Sequence, residues 1–149
     1  MATQTHPPPT APAALPSAGR AWRTGLIITG TALVANTVVL AAARMAGADM
    51  IVQRDAATAV TIGVGSVALM TALPIMLATI LLLALRRRAA RAWGALAVMG
   101  LLVGLVTAPV PLAVTAEAST STALALMHLT TGVVWFVVVR RAATRRGEA

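Results

Sequence analysis

The chain has 149 residues, 58% of them hydrophobic and 11% charged, with a formal charge of +8 and no cysteine. A soluble domain carries about 25% charged residues, so the composition excludes an ordinary soluble fold; the missing cysteines exclude disulfides, thiol chemistry and cysteine-ligated metals. All twelve basic residues are arginines, and they flank apolar runs, which makes membrane lipids and not nucleic acid their expected partner.

Five prolines (Pro7, Pro8, Pro9, Pro12 and Pro16) open the chain among small residues. Such a segment cannot bury a core, so residues 1–21 are expected to form a disordered cytoplasmic tail. Four apolar runs follow, Trp22–Ala43, Thr58–Leu85, Ala92–Val114 and Thr120–Val139. Each reaches the roughly 20 residues that cross a bilayer. The expected fold is all-α, a polytopic membrane protein with four transmembrane helices in an antiparallel bundle over residues 22–141, followed by a short cytoplasmic tail at 142–149.

Span one carries Gly25 and Thr29, a small-x-x-x-small pair that permits close helix approach, and Asn36 in its second half. Arg20, Arg23 and the apolar stretch up to Ala41-Ala42-Ala43 also suit a cleavable leader, although the apolar core and the preceding tail are both long for one. In the loop from 44 to 57, Met45, Met50, Ile51 and Val52 suit the interface, while Arg54 and Asp55 suit water. Span two, read as one helix of 28 residues, is about 42 Å long against an apolar thickness of about 30 Å, so its ends project or it tilts. Pro74 predicts a kink there, with Thr71 positioned to bond a nearby backbone carbonyl.

The link to span three holds Arg86, Arg87, Arg88 and Arg91, expected contacts for anionic lipid head groups. Its shortness predicts that spans two and three pack as a helical hairpin. In span three, Gly100, Gly104 and Ala108 line up as the strongest packing motif of the chain, and Pro109 and Pro111 end the helix. Another short connection predicts a hairpin of spans three and four, with Ser119 or Thr120 as the helix cap. Trp22, Trp93 and Trp135 lie toward the arginine-bearing ends, as interfacial anchors do; Trp135 is deeper and also suits internal packing.

Counted near the span ends in chain order (Arg20 and Arg23 at the start of span one, then the three connections and the tail), basic residues number 2, 2, 4, 0 and 4. Arginine accumulates on the cytoplasmic side of a membrane. Both termini and the 86–91 link are therefore expected in the cytoplasm, with the protein in the plasma membrane.

Few polar residues lie at membrane depth. At about 1.5 Å per residue, Asn36, Thr107 and His128 fall at a similar level, and polar groups in hydrocarbon are costly unless paired. They are expected to form a buried cluster, acting either as glue between helices or as a proton-linked or ligand-binding pocket. Glu117 lies near the outer interface, within reach of Arg44 or Arg54, or of His128 through water. The leading expectation is a structural or interaction component whose partner is a second copy or another membrane protein. The alternative is a small transporter or proton-coupled carrier built on the polar layer around His128. A lipid-active enzyme with His128 as base is a third option, although no convincing nucleophile, metal set or cofactor motif accompanies it.

The block Ala123-Leu124-Ala125-Leu126-Met127-His128-Leu129, the link Leu85-Arg86-Arg87-Arg88 followed by Trp93, and Thr107-Ala108-Pro109 resemble recurring features of small uncharacterised four-helix membrane proteins of actinobacteria. The resemblance covers residues 22 to 141 and implies a plasma-membrane protein with no assigned catalytic residues. Small multidrug exporters also have four spans, but they use a glutamate in the first helix, and span one has no acid.

Overall fold

The computed structural model describes residues 17–53, 57–87 and 89–144. Four long helices dominate it: α1 (Ala18–Met45), α2 (Val64–Ala84), α3 (Ala89–Thr107) and α4 (Ala118–Thr144). All four spans are long and apolar enough to cross a membrane. Between them lie three short strands, β1 (Ile51–Gln53), β2 (Ala59–Thr61) and β3 (Thr115–Ala116), and two 3-10 turns, Leu85–Arg87 and Val110–Ala113.

Helix α1 begins inside the segment expected to be tail. The Ser17 hydroxyl accepts from Arg20 N at 3.2 Å, satisfying one of the amides left free at a helix start. The tail up to residue 16 lies outside the described residues. At the far end, Gly47 adopts φ +91, a left-handed conformation that glycine adopts without steric cost and that commonly ends helices.

Helix α2 is shorter than the apolar run suggests, 21 residues or roughly 32 Å. That length matches the bilayer without tilt. The first part of the run is instead β2, whose residues pair antiparallel with β1 in the register Ile51↔Thr61 and Gln53↔Ala59. Val60, Thr61 and Ile62 are β-branched and fit a pleated surface, and Gly63 separates them from the helix. Hydrophobicity alone does not separate a short apolar strand from the end of a helix. Strand β3 pairs on the other side of β1, giving the order β2-β1-β3. This small sheet lies at the end of the bundle opposite the start of α1 and the end of α4. Arg54 and Asp55 lie outside the described residues.

The helices pack α1 on α2, α1 on α4 and α3 on α4. Helices α2 and α3 make few contacts with each other, so the hairpin expected from their short link does not close along its length. The link fixes only the ends. Small residues that permit close approach are used at the other seams, whereas α2 and α3 turn Met70, Leu81, Met99 and Val103 toward the space between them. The second expected hairpin, α3 with α4, is closely packed.

Two apolar clusters hold the bundle. One lies at the arginine-bearing end and includes Ala21, Ile28, Leu82, Trp93, Trp135 and Val139; the other lies beneath the sheet and includes Leu40, Met50, Val67, Ala123 and Met127. Trp93 is fully buried, so it is a core residue and not an interfacial anchor. Trp135 is also buried, while Trp22 is 45% exposed and keeps a position suited to the interface.

Candidate functional site: a cleft between α2 and α3

The small residues position the helices around the cleft. A Cβ on Gly25 would overlap the Thr79 side chain of α2, and one on Gly100 would overlap the Trp135 indole of α4. One on Gly104 would lie 2.9 Å from Gly132 Cα and 3.0 Å from the His128 carbonyl oxygen. Ala108 is buried, and the Thr29 hydroxyl bonds back to Gly25 O at 2.9 Å. Trp135 is held in place by its indole N–H, which donates to Leu96 O at 2.8 Å. The stripe on α3 thus brings that helix against α4 and away from α2.

The resulting cleft, open along one side, has a volume of about 600 Å³ and is lined from all four helices. Its walls are mostly aliphatic and sulfur side chains. Its polar residues are Asn36, Ser66, Thr71, Thr107, His128 and Thr131, and none of the lining residues is Arg, Asp or Glu.

Asn36 is 2% exposed. Its amide N–H groups donate to Thr71 Oγ1 and Thr131 Oγ1, both at 3.0 Å. These bonds tie α1 to α2 and α4. The Thr131 hydroxyl donates to Met127 O at 2.9 Å, so its oxygen must be the acceptor toward Asn36, which fixes the orientation of the amide. Asn36 Oδ1 is buried without a hydrogen-bond partner.

Thr107 Oγ1 and His128 Nδ1 lie 3.0 Å apart, joining α3 to α4. The Thr107 hydroxyl also lies 2.7 Å from Val103 O. The three residues expected to cluster therefore line one cavity, but Asn36 bonds Thr71 and Thr131, whereas Thr107 and His128 bond each other. Thr71 receives the Asn36 amide, a role different from the backbone bond near Pro74 expected of it. Threonines are common in these spans, and only the rotation of each helix about its axis selects which of them meets Asn36.

The sheet end carries a second polar network. Thr120, fully buried, donates to Asp49 Oδ1 at 2.9 Å and accepts from Met50 N at 3.1 Å. Helix α4 begins before Thr120, so this hydroxyl fastens the loop after α1 instead of capping its own helix. Hydrogen bonds from Ile51 N and then from Thr120 hold the exposed Asp49 carboxyl below its ordinary pKa. Glu117 accepts from Asp49 N at 3.3 Å, while Arg44 donates to Ile62 O at 3.0 Å; the expected approach of Glu117 to Arg44 is replaced by these backbone bonds. At the opposite end Arg86 is partly exposed. Arg88 and the side chains of Arg87 and Arg91 lie outside the described residues.

Among the described residues no group of three or more His, Asp or Glu side chains is placed to hold a metal ion. No curated protein and no solved structure matches the chain. A family model matches residues 16–145, nearly the whole of this small multi-pass membrane protein, and by it the chain belongs to the family of unknown function DUF6069.

Proposed function

We propose that the protein is a membrane-embedded binding protein that admits a lipid-like molecule from the bilayer into the cleft between α2 and α3. The observation that carries this reading is the open seam between those two helices. A cavity of about 600 Å³ falls within the roughly 300–1,000 Å³ typical of small-molecule sites. The small-residue stripes, which favoured a structural or self-associating role, are covered by Thr79, Trp135 and Gly132 and offer little to a second copy. The arginine distribution supports placing both chain ends and the 86–91 link in the cytoplasm, with the sheet outside the plasma membrane and Arg86, Arg87, Arg88 and Arg91 at anionic head groups.

Native mass spectrometry of the full chain released from lipid nanodiscs tests the binding reading. A cleft-filling variant, Ser66→Phe with Val103→Phe, should lose the lipid-like adduct, and Leu26→Phe on an exposed face outside the cleft should keep it. Equal adduct in all three proteins would refute the reading, and so would a dimer that dissociates only in the cleft-filling variant.

A second reading is a proton-coupled carrier, favoured by the pairing of Thr107 with His128 on the cleft wall. It predicts pH-dependent flux of the guest across vesicles that His128→Gln abolishes.

A further inference from the structure

Resting on the binding reading above, we infer that the guest is a lipid with an uncharged, hydrogen-bonding head. It is held with that head toward the sheet and one hydrocarbon chain running toward the arginine-bearing end of the bundle. The lining of the cleft is graded along its length. Its polar residues lie at or on the sheet side of the helix midpoints: Asn36 on α1, Ser66 and Thr71 on α2, Thr107 on α3, and His128 and Thr131 on α4. Beyond them the lining side chains are apolar, apart from Trp135, whose indole N–H is already committed to Leu96 O. Leu81 follows Thr71 by ten positions on α2, and Leu96 precedes Thr107 by eleven on α3, so the apolar stretch runs for about 15 Å. That is about half of the roughly 30 Å hydrocarbon core, the depth that one leaflet gives its chains.

The polar groups divide by access. Asn36 and Thr71 are buried and bonded to each other, so they brace the wall and leave contact with a guest to other residues. Ser66 and Thr107 are half-buried and His128 is exposed. The Ser66 hydroxyl can donate and accept. Thr107 engages Nδ1 of His128 at 3.0 Å, which leaves Nε2 of the ring to a guest. Ser66 stands on α2 and Thr107 on α3, the two sides of the open seam. A head at the sheet end of the seam therefore meets polar groups on both sides.

This grading sets which lipid fits and which way round. None of the lining residues is Arg, Asp or Glu, so a phosphate or carboxylate would bring isolated charge to membrane depth, which is strongly disfavoured. A pure hydrocarbon would leave the Ser66 hydroxyl and the His128 ring facing an apolar guest. In the reverse orientation the head would face Ile75, Leu81, Leu96 and Met99, which offer it no side-chain partner, and the chain would cover Ser66 and His128. A glycerol-like head toward the sheet, with hydroxyls that donate and accept, avoids all three costs.

Photo-crosslinking of the full chain in nanodiscs, with adduct sites mapped by mass spectrometry, tests the inference. The probe is a monoacylglycerol carrying a diazirine either on the glycerol or near the chain terminus. The glycerol probe should label Ser66, Thr107 or His128, and the chain-end probe Leu81, Leu96 or Met99. Each should favour its own group over the opposite one by at least about fivefold, the ratio expected of one neutral hydrogen bond. Unlabelled monoacylglycerol should displace either probe at a membrane concentration at least about tenfold lower than its phosphate ester requires. Reversed labelling, or both probes labelling the two groups alike, would overturn the orientation. Equal competition by the phosphate ester would overturn the uncharged head. In either case, loss of labelling in the Ser66→Phe/Val103→Phe variant would leave the cleft as a binding site. Labelling that persists at Leu81 and Leu96 in that variant, or that falls only on outward-facing residues such as Leu26 and Val34, would remove the binding reading itself. The probe pair on the unaltered chain decides the orientation even where the variant fails to fold.

Discussion

Gly100→Ala is the sharpest perturbation of this bundle. A Cβ at that position would overlap the indole of Trp135, a side chain that is 5% exposed and bonded to Leu96 O at 2.8 Å. Overpacking a closed seam costs about 1–3 kcal/mol. Displacing the indole strands its buried N–H for a further cost of about 1–3 kcal/mol. Replacing glycine by alanine within a helix returns about 1 kcal/mol. The net is a destabilisation of about 3 kcal/mol, within limits of about 1–5 kcal/mol. Gly94 lies on the same helix with nothing within 4 Å of its added Cβ, so Gly94→Ala should be neutral or stabilising by up to about 1 kcal/mol. Equilibrium unfolding in mixed micelles, titrated with dodecyl sulfate and followed by tryptophan fluorescence, compares the two. Agreement between them within about 0.5 kcal/mol would refute the close contact of α3 with Trp135 and, with it, the reason α3 stands away from α2.

Three further predictions concern the sheet end and the topology. Thr120→Val removes the acceptor for Met50 N and the donor to Asp49 and should destabilise the protein by about 1–3 kcal/mol in the same titration; an unchanged midpoint would mean that the network contributes nothing. Asp49 titrates below the ordinary carboxylate range because Ile51 N–H and Thr120 bond its charged form, so its stabilising effect is complete above the unfolded carboxyl pKa and is lost as pH falls through the lower folded value. Protection of the Ile51 and Ile62 amides against hydrogen exchange, relative to the unstructured rate at the same pH, should therefore fall below about pH 4, and Asp49→Asn should flatten that acid response; an identical profile in the variant would refute the role of Asp49. Topology reporters fused at each end and inserted in the 86–91 link should all report the cytoplasm, whereas one inserted between β1 and β2 should report the outside. Moving Arg86, Arg87, Arg88 and Arg91 to the β1–β2 loop should mix the orientations, and an unchanged orientation would show that another signal sets it.

The sequence by itself determined the membrane class, the number of spans and their antiparallel order. Those properties follow from long apolar runs and short links, which are local and additive along the chain. It also picked out Gly100 and Gly104, because a small residue every fourth position lies on one helical face whatever that face meets. It did not reveal that residues before Gly63 form a strand, since an apolar strand pays no hydropathy signal that distinguishes it from helix. Nor did it assign partners within the polar layer: Asn36, Thr107 and His128 share a depth, but depth is set by rise along an axis, and contact is set by rotation about it. The tertiary structure decided that Asn36 meets Thr71 and Thr131, that Trp93 is core, and that α2 and α3 part. That parting depends on which faces α1 and α4 close first, a choice made by packing among all four helices and carried by no single segment of the chain.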